Sequence, residues 1–297
     1  MRKSWRLLVW PLVTASLLFS HCESPFQVKE EYSPKLVLYA IAFRGESSLT
    51  VRVEANSRLY QADSNGASEI IGLTGTLSNP ARGTELQLVG SYKAGLNLLE
   101  ANLNLEPKST LEIEANADGF PSCIAALTVL DAATIYPAYW TTSTLRTPGS
   151  GQQDPQFVIY PSALTEAIRA RLHIKYAGVD SGGALIAGDC IVEPVYQTNV
   201  TSYYLRIGGR RTDVSFPLPA YADSFAQVRG RLKSGTMTAM VELVQIDAPI
   251  YYFYSISHGF NDPLTMRTEK PLYTNVTGGL GFVGSASLDT LSIRVYP

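Results

Sequence analysis

Cysteine, histidine and charge are all scarce in this chain. Three cysteines and three histidines occur in 297 residues, and their spacing matches no zinc pattern, so no metal site is expected. Asp, Glu, Lys and Arg make up 17% of the sequence, below the ~25% of ordinary soluble domains. The formal net charge is −2. A chain with no basic excess lacks the electrostatic face that a phosphate backbone demands, which argues against nucleic acid as a partner. Also missing is an apolar run of the ~20 residues that a membrane-crossing helix needs. Tyrosine, by contrast, is plentiful at 17 residues. Together with Val, Thr and Ser it suits half-buried pleated surfaces better than helices. The composition predicts an all-β protein.

The first residues set the compartment. Arg2, Lys3 and Arg6 precede a mostly apolar run from Leu7 to Phe19, and Ser20-His21-Cys22 closes it before polar sequence resumes at Glu23. A charged start, an apolar middle and a processing site make a secretory signal, removed from the mature chain. Cysteine at the processing site points to a lipoprotein leader over residues 1–21, with Cys22 acylated. Such a chain is tethered to a membrane surface rather than inserted in it. Cys123 and Cys190 then remain as an even pair in an oxidising compartment, either bonded or two buried thiols.

Residues 22–33 read as a polar tether. Leu36 to Phe43 has strand length, and Leu49, Val51 and Val53 alternate with Thr50, Arg52 and Glu54, the period of a strand with one face buried. Leu111, Ile113 and Ala115 repeat that pattern. Short strands between turn signals predict an immunoglobulin-like sandwich over 34–138. The stretch 139–155, rich in Pro and Gly, reads as a domain linker, with a loop inside one larger domain as the competing reading. A larger antiparallel β-sandwich or barrel is expected over 156–297. Residues 160–176 are ambiguous in their first half and strand in their second, where Ile168, Ala170, Leu172 and Ile174 alternate with Arg169, Arg171 and His173. Strands are also expected at 201–207, 226–232, 237–246, 250–257 and 286–296.

Two stretches are familiar. One pairs Val241-Glu242-Leu243-Val244-Gln245-Ile246 with Ile250-Tyr251-Tyr252-Phe253-Tyr254-Ser255. The other runs from Pro271 through Asn275 and Gly278-Gly279-Leu280-Gly281-Phe282-Val283-Gly284. Together they resemble the C-terminal region of the Bacteroidota lipoproteins grouped as domain-of-unknown-function family 4249. The part from Leu36-Val37-Leu38 to Leu105-Glu106-Pro107 is similar to that family's opening sandwich domain. The resemblance implies an exported outer-membrane lipoprotein, on the periplasmic or cell-surface face, often encoded beside TonB-dependent receptors. It brings no catalytic residues with it.

Gly279-Leu280-Gly281-Phe282-Val283-Gly284 formally matches a dinucleotide fingerprint. No helix and no acid about 20 residues on can follow it before Pro297, so no cofactor is expected. Gly278, Gly279, Gly281 and Gly284 read instead as a structural loop of positive φ or close backbone approach, with Phe282 plugged into a core. Ser257, His258 and Asp262 are the residue types of a hydrolase triad, but no nucleophile elbow accompanies them and a turn is the better reading. Tyr251, Tyr252 and Tyr254, on a strand with alternating faces, are ligand-contact candidates because rings bring large area and a polar handle. His258 at the rim joins them. The expected function is non-enzymatic: a binding or scaffolding accessory of a TonB-dependent transporter. A free-standing adhesion lipoprotein and a carboxylate-dependent hydrolase of envelope polymers are the alternatives.

Overall fold

A computed structural model describes residues 33–56, 69–139, 154–180, 182–194, 204–217, 232–259 and 273–295. Where apolar residues recur at every second position, strands form. These are β1 (Leu36–Phe43), β2 (Ser48–Ala55), β3 (Thr74–Asn79), β4 (Thr84–Lys93), β5 (Leu96–Asn102), β6 (Thr110–Asn116) and β7 (Cys123–Thr128). β1, β2, β5 and the end of β4 pair in one sheet, while the start of β4 joins β3, β6 and β7 in the other. That is the pairing of an immunoglobulin-like sandwich. β4 changes sheets at Gly90, where a Cβ would lie 2.5 Å from the Leu73 carbonyl oxygen. Leu49, Val51, Val53, Leu111, Ile113 and Ala115 all point into the shared core and are buried, each large side chain contributing roughly 1.5–3 kcal/mol.

A second sandwich follows. Its small sheet holds β8 (Thr134–Tyr139), β9 (Gln156–Tyr160) and β13 (Thr212–Ser215). The facing sheet is built from β10 (Thr165–Asp180), β11 (Leu185–Val192), β12 (Leu205–Arg206), β14 (Leu232–Asp247) and β16 (Leu280–Val295). Ile168, Ala170, Leu172 and Ile174 on β10 are fully buried against Phe157 and Phe216, whose rings stand 5.7 Å apart. The fold is all-β, with one helix among the described residues, and the half-ambiguous stretch after Tyr160 is a turn leading into β10.

The two sandwiches are not independent lobes joined at 139–155. β8 and β9, on either side of that stretch, pair with each other, so both belong to the second sandwich. The C-terminal segment also returns to the first. β15 (Val276–Thr277) pairs with β7. Leu280–Ala286 of β16 then lies parallel to β1, while Ala286–Val295 runs antiparallel to β14. Val276 and Val283 enter the first core, and the chain from Pro34 to Pro297 is one compact unit.

The strand expected at 250–257 is a helix, α1 (Ala248–Gly259). Asp247 caps it by accepting the Ile250 N–H at 3.2 Å, and Pro249 sits in the first turn, where its missing N–H costs nothing. Packing at a spacing of three residues, with Ile250 and Phe253 both turned to Phe282 and Tyr39, overrides the strand preference of the aromatics. Of the other expected strands, 201–207 is described from Tyr204 onward, where it contains β12, and 201–203 and 226–231 lie outside the described residues.

Candidate functional site

Helix α1 lies over the seam where β16 passes from one sandwich to the other, and its aromatic residues gather two groups of rings. On one side, Phe253 packs on Phe282 with centroids 4.2 Å apart. Tyr39 meets both edge-on at 5.9 and 5.8 Å. Tyr254 stands 5.8 Å from Phe253 and remains 41% exposed. On the other side, Tyr251, Tyr252 and Tyr273 follow one another at 5.6 and 5.7 Å. Arg206 of β12 lies 5.6 Å from both the Tyr251 and Tyr252 ring centres. It donates to the Tyr252 hydroxyl at 2.8 Å and to the Glu166 carboxylate. The neighbouring carboxylate raises the guanidinium pKa further, so the cation is permanent and spread over aromatic faces.

Burial pushes the phenols of Tyr39, Tyr204 and Tyr273 above their ordinary value. All three stay protonated and can donate hydrogen bonds. The surface offers rings, hydroxyls and one guanidinium, which is the chemistry of stacking and hydrogen bonding. On the same sheet beside it, Glu193 accepts from Arg169 at 3.1 Å and Arg171 at 3.0 Å. His173 Nε2 lies 3.5 Å from Glu242. Among the described residues, no three His, Cys, Asp or Glu side chains are grouped to hold a metal.

Tyr251, Tyr252 and Tyr254 therefore share one helix and do not alternate across a strand. The side chains of Ser257 and His258, with Asp262, lie outside the described residues, as does Cys22. Cys123 and Cys190 are both free. Cys123 sits in the first core and Cys190 packs against the second, so the bond left open by the sequence is not made. Burial pushes the Cys123 thiol up to about 11, which makes it a small hydrophobe rather than a nucleophile.

The four glycines sit where the chain crosses between sheets and runs on beside β1. Gly278 (φ 77°) and Gly281 (φ 100°) hold left-handed backbone, and a Cβ on either would overlap a carbonyl oxygen, of Ser122 and of Leu38 respectively. A Cβ on Gly279 would lie 2.8 Å from the Leu36 oxygen. Gly278-Gly279 is the bend, whereas Gly281 and Gly284 belong to β16 itself. Sequence reasoning missed Arg206, Glu166 and Tyr273, which join the tyrosines only through pairing of β12 with β10 and the approach to β15. Asp247-Ala248-Pro249, an N-cap followed by proline, was the available sign of the helix.

Fold and surface define an all-β protein of two interlocked sandwiches carrying an aromatic helix. No family model and no curated protein matches this sequence. Among solved structures, the chain is similar to Escherichia coli alpha-2-macroglobulin activated by porcine elastase, with 10% identity, 73% of this chain and 19% of that chain covered, and a TM-score of 0.25. It is also similar to dimeric latent PorU from Porphyromonas gingivalis, with 11% identity, coverages of 86% and 20%, and a TM-score of 0.20. The chain spans about a fifth of the length of either.

Proposed function

We propose that this chain is a non-enzymatic, lipid-anchored cell-envelope protein, and that it binds or scaffolds through the tyrosine face of α1. The observation that carries the binding part is a surface helix with four consecutive aromatic residues, beside which Arg206 rests on two rings. Aromatic residues and arginine are the side chains most enriched at interaction hot spots. The anchor rests on the leader ending at Cys22. The partner, a TonB-dependent outer-membrane transporter, rests on the resemblance of the 241–255 and 271–284 stretches. A lipid-anchored chain in either leaflet can present α1 to such a partner without crossing the bilayer.

Cell fractionation tests the anchor. Cys22→Ala is expected to move the protein from the membrane fraction to the soluble one; a variant that stays with the membrane contradicts it.

A further inference from the structure

One side chain makes the joint between β14 and α1. Asp247 is 8% exposed. Its Oδ1 accepts the Ile250 N–H at 3.2 Å, closing the helix N-terminus. Its Oδ2 accepts the Ser285 N–H at 2.6 Å, tying that terminus to β16. Gly284 makes the room: a Cβ there would lie 2.6 Å from Asp247 Oδ1 and 2.7 Å from the Ile250 side chain.

Among the described residues, the groups facing this carboxyl bring no cation. α1 offers the Ile250 N–H, and β16 offers Ser285 and Gly284. From β10 comes Thr165, paired with Asp247 in the ladder, its hydroxyl already given to Gln245. The segment before β15 brings the Tyr273 phenol, close enough to feel the carboxylate charge. Farther along β16, Asp289 is matched by Arg44. Burying a carboxylate without a counter-charge disfavours its ionised form. The three backbone donors, the N–H groups of Ile250, Ser285 and Asp247 itself, pull the other way and lose, leaving the carboxyl pushed up to about 7.

We propose that Asp247 is a proton-operated latch that fastens α1, and with it the tyrosine surface, onto β16. With the proton on, the buried carboxyl is neutral and the joint stays closed. With the proton off, opening relieves the buried charge by letting water solvate it. A solvated Asp titrates near ~3.9, so the open fraction rises by up to about tenfold per pH unit from there to about 7 and then levels off. The consequence for binding rests on the reading of α1 as the contact surface: affinity would be highest in mildly acidic conditions.

The test is amide hydrogen exchange of Tyr251 to Tyr254 in the full chain, corrected for intrinsic rates, from pH 5 to 8. Amides of β1 and β2 serve as the reference. The expected result is α1 exchange faster than the reference, with an opening that climbs about tenfold per pH unit up to pH 7. Asp247→Asn and Asp247→Ser, which keep a polar cap but cannot ionise, should each abolish the climb; either suffices if the other does not fold. Protection of α1 equal to that of β1 and β2 at every pH overturns the latch, and so does a slope that survives these substitutions. No ligand is needed, so the two readings separate. A flat profile removes the latch alone, whereas a steep profile with no binding at α1 removes the contact surface alone.

Discussion

Gln245 on β14 donates to the carboxylate of Asp289 on β16 at 2.8 Å, between residues that are 0% and 8% exposed. The same amide donates to Ser287 at 2.7 Å and to the Asp131 carbonyl at 3.2 Å. Its oxygen accepts from the Ser162 N–H at 2.8 Å and the Thr165 hydroxyl at 2.9 Å. Asp289 in turn holds Arg44 and the Ala133 N–H. Gln245 and Asp289 together thus hold the connection between the sandwiches, at Asp131 and Ala133, against β14 and against β16, the strand that both sandwiches share. Buried networks of this kind are costly to leave half-satisfied.

Gln245→Leu, close in volume, should therefore destabilise by about 3–5 kcal/mol, because Ser162 N–H, Thr165, Ser287 and Asp289 each lose a partner in a buried site. Urea unfolding measures it. A loss under ~1 kcal/mol would mean water replaces the amide.

Glycine positions should divide sharply. Gly281→Ala puts a Cβ onto the Leu38 oxygen at φ 100° and should cost more than about 3 kcal/mol or prevent folding. Gly83→Ala, at φ 62° with open space around it, should cost only about 1 kcal/mol. Equal midpoints in denaturant for the two variants would count against the β1·β16 pairing.

Stability should depend on pH through Asp247. Its folded pKa is raised to about 7, so its contribution is fully present below ~3.9 and is lost as pH rises through the folded value. Every tenfold change in proton affinity on folding is worth about 1.4 kcal/mol, which makes the swing between pH 4 and 8 on the order of 4 kcal/mol. Denaturation across that range should show wild type losing stability relative to Asp247→Asn. Parallel curves for the two would assign the pH dependence to other groups.

Exposed and half-buried aromatics of α1 should separate binding from folding. Phe253→Ala removes a ring packed 4.2 Å from Phe282 and should cost about 3–5 kcal/mol. Tyr254→Ala, at 41% exposure, should cost less than ~1.5 kcal/mol yet weaken partner capture. Thermal melts read the first effect and binding the second; a Tyr254 variant with wild-type binding excludes that ring from the contact.

The alternating core is legible in the sequence because each strand of the first sandwich pairs close by in the chain. Leu49 to Val53 and Leu111 to Ala115 alternate as their burial requires. The second half of β16 is legible as the strand expected at 286–296, but its start at Leu280 is not, because that part pairs with β1 across more than 200 positions and only the glycines hint at a close approach. α1 reads as a strand because ring residues favour strands locally, while its capping aspartate and its packing on Phe282 decide otherwise. Of the contact surface, the tyrosines are visible and Arg206, Glu166 and Tyr273 are not, since nothing local announces a residue delivered by a distant strand.

Capture from the native envelope tests the central proposal most directly. A C-terminally tagged chain is solubilised in mild detergent, and the eluate is identified by mass spectrometry, with Tyr251→Ala/Tyr254→Ala as the control. The expected result is a TonB-dependent outer-membrane transporter in stoichiometric amount with wild type and depleted with the control. Recovery of the chain alone would contradict the accessory role and favour a free-standing adhesion lipoprotein, and a transporter retained equally by the control would move the contact away from α1.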